Sequence, residues 1–380
     1  MPNKRKIIRA TTVPTSLDTF CKDQLRELNT KYEVVAISSP LPELDVVAQR
    51  EGVKTIAVKM ERHISPWRDL KALFQLCRVF AKERPWMVHS MTPKAGLLCM
   101  IAAWVTRVPK RVHTFTGLVW PTATGLTRTI LKTTDRILCA CATHIIPEGN
   151  GVKQDLINGK ITRKSMQVLA NGNVRGIDLV HYDRTPQVME SVESIRKDDV
   201  TTFVFVGRVV RDKGIHELVD AFERLNKEYS NTRLILVGRS EPHLDPLNAE
   251  TQQIIDSNKA IEAVGEQDDV RPWLAASDVL VFPSYREGFP NVVIEAGAMG
   301  LPSIVSNING CNEIIIPGEN GVIIPPRNAD ALYDAMLEMH TNEGKRKALA
   351  AKSRQLVASR FDCKIVRKAL YEFYASLEVK

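Results

Sequence analysis

Residues 201–229 read TTFVFVGRVVRDKGIHELVDAFERLNKEY and combine a strand pattern with a helix pattern. Its first residues are rich in β-branched and aromatic side chains, which is typical of a buried strand. A turn containing glycine follows, and from residue 214 the apolar residues recur with the period of an amphipathic helix. The stretch therefore predicts a strand, a turn and a helix, which together form the repeating unit of a parallel sheet.

The same alternation extends in both directions along the 380 residues. Short β-branched runs alternate with helical patterns, and the series breaks at residues 171–187, NGNVRGIDLVHYDRTPQ, which are rich in Gly, Asn and Pro. We predict an α/β fold of two tandem Rossmann-like, doubly wound parallel-sheet domains, with an interdomain cleft at the carboxyl ends of the strands. The predicted ranges are 1–175, 176–358 and a final helix, 359–380, that packs back on the first domain.

Composition narrows the class of protein. The net charge of +8 is uneven: residues 1–184 hold 29 Lys and Arg against 15 Asp and Glu, a net charge of +14, whereas the rest holds 23 against 29, net −6. The seven cysteines show no CxxC pair and read as reduced thiols of a cytoplasmic protein. The amino-terminal residues lack the apolar run of a signal peptide, and the longest apolar run is too short for a membrane span.

Two cations follow the strand that opens the second series. Arg208 and Lys213 flank a turn that begins at Gly207 and leads into a helix. Fixed cations beside a glycine turn and a helix amino terminus suit a diphosphate. A solvated basic loop is the alternative for this motif taken alone.

Two acids lie in the stretch REGFPNVVIEAGAMGLPSIVS, residues 286–306. Pro290 suits a first helical position, which places Glu287 in a loop and Glu295 about one turn inside the helix. A carboxylate accepts hydrogen bonds from both hydroxyls of a vicinal diol, so the pair can hold a sugar at one end and a ribose at the other. Taken singly, each acid also fits an ordinary surface charge favoured by the helix dipole.

With these motifs the sequence resembles the family 4 glycosyltransferases, which have the GT-B fold, use nucleotide sugars and retain anomeric configuration. The resemblance rests on VGRVVRDKG, LILVG, DVLVFPSYREGFPNVVIEAGAMGLPSIVS, GCNEII and ENGVIIPP. It implies that Arg208 and Lys213 bind the donor diphosphate, that Glu287 meets the transferred sugar and that Glu295 binds the ribose. It also implies that the backbone of Gly288, Phe289, Pro290 and Asn291 surrounds the sugar. All of these residues except the proline have an N–H group that can bind a sugar hydroxyl.

The resemblance carries an expectation about cofactors. No D-x-D metal motif is visible in the sequence, so we expect no metal and no cofactor beyond the nucleotide-sugar co-substrate. The cations would then stabilise the departing diphosphate, and Glu287, Arg208 and Lys213 are the predicted catalytic residues.

The first domain departs from the commoner family pattern. After its first strand the loop reads TTVPTSLD, where Thr15 and Ser16 offer hydroxyls, or Ser16 simply caps the helix. HTFTGL has Thr116 before Gly117 where many relatives have a His. The remaining acceptor-side candidates are His89, Lys94 and His113, although a lone His near a strand end is more often structural.

TFTGL and TPKAG resemble a bacterial subgroup that builds capsule, O-antigen or related glycans on polyprenyl-diphosphate carriers. The implied reaction moves an N-acetylhexosamine or deoxy sugar from a UDP-type donor to a lipid-linked saccharide. The basic and aromatic segment 61–86 would attach the protein to the anionic inner face of the cell membrane, or it is an ordinary amphipathic helix.

Three alternatives stay open at this point. One is a nucleotide-sugar epimerase of the same fold, and another is a non-catalytic nucleotide-sugar-binding protein. The third, a nucleic-acid binder, is suggested only by the basic charge; no recognised module supports it, and we expect no nucleic-acid partner.

Overall fold

The computed structural model describes residues 4–61, 65–241 and 245–378, and it divides into two compact units. The first unit comprises Met1–Gly176 and Lys364–Lys380, and the second comprises Ile177–Cys363. The division falls one residue after the sequence-based boundary, and the last helix belongs to the first unit.

Each unit contains one parallel sheet. The strands of the first unit are β1 (Lys6–Ala10), β2 (Glu33–Ser38), β3 (Lys54–Ala57), β4 (Met87–Met91), β5 (Lys110–Phe115) and β6 (His144–Pro147). Those of the second are β7 (Thr201–Val206), β8 (Thr232–Val237), β9 (Ile261–Gly265), β10 (Val279–Phe282), β11 (Ser303–Ser306) and β12 (Gly321–Ile324).

Helices follow most of the strands. In the first unit they are α1 (Pro14–Cys21), α2 (Gln24–Lys31), α3 (Glu43–Glu51), α4 (Pro66–Glu83), α5 (Pro93–Val105), α6 (Gly125–Cys141) and α7 (Asn150–Asn158). The second unit has α8 (Pro186–Ile195), a 3₁₀ turn at Arg211–Lys213, α9 (Ile215–Glu228), α10 (Ala249–Ser257), α11 (Arg271–Ala275), α12 (Asn291–Ala298), α13 (Cys311–Ile314), α14 (Ala329–Thr341) and α15 (Glu343–Phe361). The chain ends with α16 (Cys363–Glu378).

The two sheets have the same topology. The first has the strand order β3-β2-β1-β4-β5-β6, and the second, β12-β11-β10-β7-β8-β9, is the same order counted from its own first strand. This is the Rossmann order, in which the order reverses beside the first strand and ligands bind at the carboxyl ends. The predicted α/β fold class with two doubly wound parallel sheets is confirmed.

Residues 17–28, LDTFCKDQLREL, have the apolar pattern of a single helix, but the structure divides them between two helices, α1 and α2. The chain breaks at Asp23, whose φ is +61°, between α1 and α2. The Glu51 carboxylate of α3 accepts hydrogen bonds from the backbone N–H groups of Asp23 and Arg26, at 2.9 and 3.1 Å. A residue distant in sequence therefore satisfies the amino terminus of α2, which explains why the local pattern did not predict the break.

Helix α16 is held in the first unit by its apolar face. Leu370, Phe373, Tyr374 and Leu377 lie in one core cluster with residues of β1, β2 and β4, and Tyr374 is completely buried. The Tyr374 hydroxyl contacts Arg9 at 3.2 Å and the Nδ1 atom of His89 at 2.6 Å. The chain terminus is thereby tied to the central strands of the first sheet.

Candidate active site

The turn after β7 is fixed by close backbone packing. Gly207 has a φ of +151°, and a Cβ on the neighbouring Gly238 would lie 1.8 Å from the Gly207 carbonyl oxygen. Gly214 follows the 3₁₀ turn and has a φ of +74°. A Cβ on Gly214 would clash with the Pro283 carbonyl oxygen, at a distance of 2.2 Å. Gly214 and Gly238 are therefore required sterically, and their close packing fixes the path of the chain that carries Arg208 and Lys213.

Lys213 and Glu287 form an ion pair in the second unit. Their side chains are 15% and 18% exposed, so the pair is largely shielded from water. The Ser284 hydroxyl donates to Glu287 Oε1 at 3.0 Å, and the Lys213 ammonium lies 5.6 Å from the centre of the Phe282 ring. The structure thus brings together two residues that are 74 positions apart in sequence.

Arg208 lies in the same electrostatic environment but has another partner. It donates to Glu241 Oε2 at 2.6 Å, and Arg239 approaches Glu241 Oε1 at 3.2 Å. Burial lowers the pKa of Arg208, but the hydrogen bond that it donates to Glu241 and the charges of Glu241, Asp212 and Glu287 outweigh this effect and raise the pKa overall. The Arg208 hydrogen bond holds the pKa of Glu241 below its ordinary range. Each cation is therefore already neutralised by a carboxylate.

The loop after Glu287 is held in place by Gly310. A Cβ at Gly310 would lie 2.6 Å from the Gly288 carbonyl oxygen and 2.7 Å from the Phe289 Cα, so the two chain segments touch through backbone. Phe289 is 5% exposed and packs edge-on against Phe361, with ring centres 5.6 Å apart. Loop residues fixed in this way can present backbone N–H groups with little reorganisation.

Helix α12 begins at Asn291, and Pro290 is its cap residue, not its first helical residue as the sequence suggested. The one-residue shift leaves Glu295 one turn inside the helix, where it is 9% exposed.

Sequence reasoning missed three residues that shape this region: Glu241, Ser284 and Gly310. Ser284 had a signal, because it lies in the same strand-to-helix loop as Glu287. Gly310 lies in the quoted motif GCNEII, and its positive φ of +74° accounts for a glycine there. Glu241 follows β8 in the loop that adjoins the turn after β7, and the hydrogen bond from the Val209 N–H to the Arg239 carbonyl, at 2.9 Å, joins the two loops.

The two histidines predicted to contact the acceptor, His89 and His113, are buried and hydrogen-bonded within the first unit. His89 is 1% exposed, and its two ring nitrogens contact the hydroxyls of Tyr374 and Thr114 at 2.6 and 2.7 Å. His113 is 1% exposed and contacts the Ser90 hydroxyl at 2.9 Å. Burial lowers the pKa of His113 to about 3, and it lowers that of His89 as well, so both rings are neutral. As placed here, neither ring is available to an acceptor, and this corrects their assignment as acceptor-side candidates.

Thr15 and Ser16 lie in the first turn of α1, with Thr15 exposed and Ser16 half-buried. The cap of that helix is Val13, and no side chain caps it by a hydrogen bond, so the alternative role of Ser16 as a cap is wrong. A contact of either hydroxyl with an acceptor stays a prediction.

Lys94 and Gly117 line one pocket of about 200 Å³ in the first unit, and Thr116 immediately precedes Gly117 in the loop after β5. The Lys94 ammonium lies 2.5 Å from the Asp69 carboxylate, with the two side chains 13% and 19% exposed. Of the predicted acceptor-side residues, these are the ones that the structure brings together.

Across 4–61, 65–241 and 245–378, no three His, Cys, Asp or Glu side chains cluster in a way that could hold a metal ion. None of the helices in these same ranges has the length and apolar character needed to cross a membrane.

Comparison with known proteins gives matches in both units. Residues 19–172 match the family model described as "Glycosyl transferase 4-like domain", and residues 200–342 match "Glycosyl transferases group 1". The chain is 29% identical, over 97% of either protein, to the capsular polysaccharide biosynthesis glycosyltransferase CapM of Staphylococcus aureus.

A second relative comes from Escherichia coli, the UDP-Gal:alpha-D-GlcNAc-diphosphoundecaprenol alpha-1,3-galactosyltransferase. It is 29% identical over 73% of this chain and 72% of its own. Among solved structures, Anabaena HepE in complex with UDP superposes with a TM-score of 0.81 over 98% of this chain and all of its own, at 17% identity. At that identity the superposition shows a shared fold.

Proposed function

Because the chain belongs to the family 4 glycosyltransferases, and is a glycosyltransferase of the capsular and lipid-linked polysaccharide type, we propose that it glycosylates a polyprenyl-diphosphate-linked saccharide. The donor is a UDP-sugar, with an N-acetylhexosamine or deoxy sugar favoured, and the transfer retains anomeric configuration. The observation that carries the proposal is the shielded Lys213–Glu287 pair beside Arg208 at the carboxyl end of β7.

In this proposal the donor diphosphate displaces carboxylates from both cations. Its negative charge takes the place of Glu287 beside Lys213 and of Glu241 beside Arg208. Glu287 is then released to accept hydrogen bonds from the hydroxyls of the transferred sugar, and Glu295 holds the ribose diol. An apo ion pair of this kind keeps a buried lysine compensated until the substrate arrives.

The chemistry needs charge stabilisation at the leaving group. The bond between the anomeric carbon and the diphosphate oxygen breaks, a bond to the acceptor oxygen forms on the same face, and the acceptor proton goes to the leaving phosphate oxygen. Negative charge grows on the diphosphate, where Arg208 and Lys213 act, so we propose that the reaction needs no metal ion. The N–H groups of the loop after Glu287 orient the sugar.

The names of similar proteins and the charge of the first half of the chain support the proposed donor and acceptor. The name of the E. coli relative specifies a UDP-sugar and a diphosphoundecaprenol acceptor, and the HepE structure contains UDP. The basic first half, with a net charge of +14, suits an acceptor that carries a diphosphate near an anionic membrane.

The first unit also has a surface that fits a membrane. On α4, Trp67, Leu70 and Phe74 are 84%, 58% and 58% exposed, and the Arg78 guanidinium lies 4.3 Å from the centre of the Phe74 ring. Phe80, predicted to be part of this surface, is buried in the core at 1% exposure, and Arg62 lies outside the described residues. We propose peripheral binding to anionic lipid at the inner face of the cell membrane.

The test is transfer in the presence of EDTA. A panel of nucleotide sugars is incubated with a lipid extract that contains polyprenyl-linked saccharides, and released nucleoside diphosphate is measured. We expect release to need the lipid and to fall by about 10²- to 10³-fold in Glu287→Gln. The matched control is Glu319→Gln, which breaks an exposed ion pair with Lys352 in the same unit.

The outcomes separate the alternatives. No release with any donor would contradict the proposal, and a change of the donor into its epimer would show an epimerase. Release that stops with EDTA and returns with a divalent cation would contradict the metal-independent step alone.

A further inference from the structure

The pocket that contains Lys94 lies at the ligand-binding edge of the first sheet. Its walls come from the start of α5, from α6 and from the loop after β5, and Asp69 of α4 closes one side. It is bounded entirely by residues of the first unit. The carboxyl ends of β4 and β5 lead directly into it, which is where open parallel sheets bind ligands.

The walls are mostly hydrocarbon. Their apolar side chains include Leu97, Phe115, Leu118, Val119, Ile130 and Leu131. The Trp120 indole N–H, which could bind a ligand hydroxyl, instead donates to Asp135 at 3.1 Å. A saccharide needs several polar groups that converge on its hydroxyls, and this wall composition suits an apolar ligand better.

The volume fits a segment of a longer molecule. Pockets that enclose a whole drug-sized ligand measure roughly 300–1,000 Å³, and this one is about 200 Å³. An apolar cavity of about 150 Å³ accommodates benzene, so this pocket takes about one or two branched five-carbon units.

Apolar side chains continue from the pocket onto the surface. Val119 and Ile130 line it and are 44% and 39% exposed, so they stand at its mouth. Leu126, one turn before Ile130 on the same face of α6, is 75% exposed. A hydrocarbon chain that leaves the pocket therefore meets further apolar surface on α6.

Positive charge lies beside the hydrocarbon walls. Lys94 is in the first turn of α5, where the helix dipole adds to its charge, and Lys132 lies 5.2 Å from the centre of the Trp120 ring. An anionic group joined to a branched hydrocarbon chain complements both features, because the chain fills the pocket while the anion replaces Asp69 beside Lys94.

We infer that this pocket binds the isoprene units nearest the diphosphate of the polyprenyl carrier, with the diphosphate beside Lys94. The inference rests on the proposed function, and it names the part of the acceptor that the first unit recognises. We expect the pocket to bind a branched prenyl chain more tightly than a straight chain, because the methyl branches bury more apolar area against the walls over the same chain length.

The direct test is calorimetric titration of the full chain with farnesyl diphosphate, inorganic diphosphate and a straight-chain alkyl diphosphate of equal carbon number. Ile130→Asp introduces a carboxylate at the mouth, and Ile137→Asp is the matched control: it lies seven residues later on the same helix face, is 43% exposed and is outside the pocket. Val119→Asp repeats the test from the loop, and melting curves show that each variant folds.

We expect wild type and Ile137→Asp to bind farnesyl diphosphate alike, and Ile130→Asp and Val119→Asp to bind it at least about tenfold more weakly. Inorganic diphosphate should bind all four proteins equally. Absence of farnesyl diphosphate binding, equal binding by the mouth variants, or equal affinity for the straight chain would each overturn the inference.

Transfer assays separate this inference from the proposed function. Ile130→Asp should raise the KM for a prenyl-linked acceptor about tenfold and leave the KM for the same saccharide on a methyl aglycone unchanged. If farnesyl diphosphate binds as expected but no sugar is ever transferred, the pocket stands and the proposed function fails. If both acceptors are used and Ile130→Asp affects them equally, the function stands and the inference fails.

Discussion

The two units place different chemistry on the same topological position. Both sheets have the same strand order, and β1 and β7 are the equivalent first strands. After β7 come Arg208 and Lys213, both held by carboxylates. After β1 comes Thr12, whose hydroxyl lies 2.8 Å from that of Thr92 and accepts the Ala95 N–H at 3.2 Å. The turn after β7 carries two cations, whereas the turn after β1 is joined through hydroxyls to the start of α5.

The pKa values of carboxyl groups near the two sheet edges are shifted in opposite directions. At the second sheet the hydrogen bond from Arg208 lowers the pKa of Glu241. In the pocket of the first unit, burial raises the pKa of Asp135 to about 7, against a smaller lowering by the hydrogen bond from Trp120. A shared backbone topology therefore does not determine the class of ligand. That class depends on the side chains of the first loop and of the flanking helices.

The largest effect should come from removing a cation of the second unit. We expect Lys213→Ala to lower kcat by about 10²- to 10³-fold, because charge on the leaving diphosphate loses its donor. Lys352→Ala, which removes an exposed lysine of the same unit, is the control and should keep wild-type kcat. A loss seen only in donor KM would assign Lys213 to ground-state binding.

The next largest effect is a loss of stability when a glycine with positive φ is replaced. Gly214→Ala should destabilise the protein by about 2–4 kcal/mol, because its Cβ meets the Pro283 carbonyl and its φ is positive. Gly52→Ala in the first unit has a similar φ of +63° but no atom within 4 Å of the added Cβ, so about 1 kcal/mol is expected there. Calorimetric unfolding measures both, and equal losses would mean that the turn beside Gly214 yields to the added atom.

The strand and helix pattern and the donor-side motif could be predicted from sequence because their signals are local. The period of apolar residues identified β7 and α9, and the spacing within 201–229 placed Arg208 and Lys213 beside a turn. The burial of His89 and the absence of a capping role for Ser16 could not be predicted from local patterns. The partner of His89 is Tyr374, 285 residues away, and burial at that distance depends on tertiary packing. Glu241 likewise acts through a loop contact that no local pattern encodes.

A smaller effect is expected when Arg208 loses its carboxylate. Glu241→Gln should lower the KM for the donor by about two- to fivefold, because the diphosphate no longer competes with the Glu241 carboxylate for the partly exposed Arg208 guanidinium. The gain should shrink as salt is added. A higher KM would instead show that Glu241 holds Arg208 in its binding geometry; Glu319→Gln serves again as the control.

The last prediction concerns the dependence of stability on pH in the first unit. The folded-state pKa of Asp135, about 7, lies above the roughly 3.9 of an unfolded chain. Between these values the unfolded chain has released the proton and the folded protein keeps it, so this group makes the free energy of unfolding fall as pH rises. Asp135→Asn should therefore be more stable than wild type at pH 8, by about 1–2 kcal/mol, and the difference should shrink toward pH 4.

Denaturant unfolding at pH 4, 6 and 8 measures this difference, with Asp334→Asn, an exposed carboxyl on α14, as the control. The expected control result is a difference from wild type that does not change with pH. The same flat result for Asp135→Asn would mean that this carboxyl ionises as it does in water. The pocket beside it would then be hydrated, and its apolar walls would no longer distinguish the first unit from the charged edge of the second.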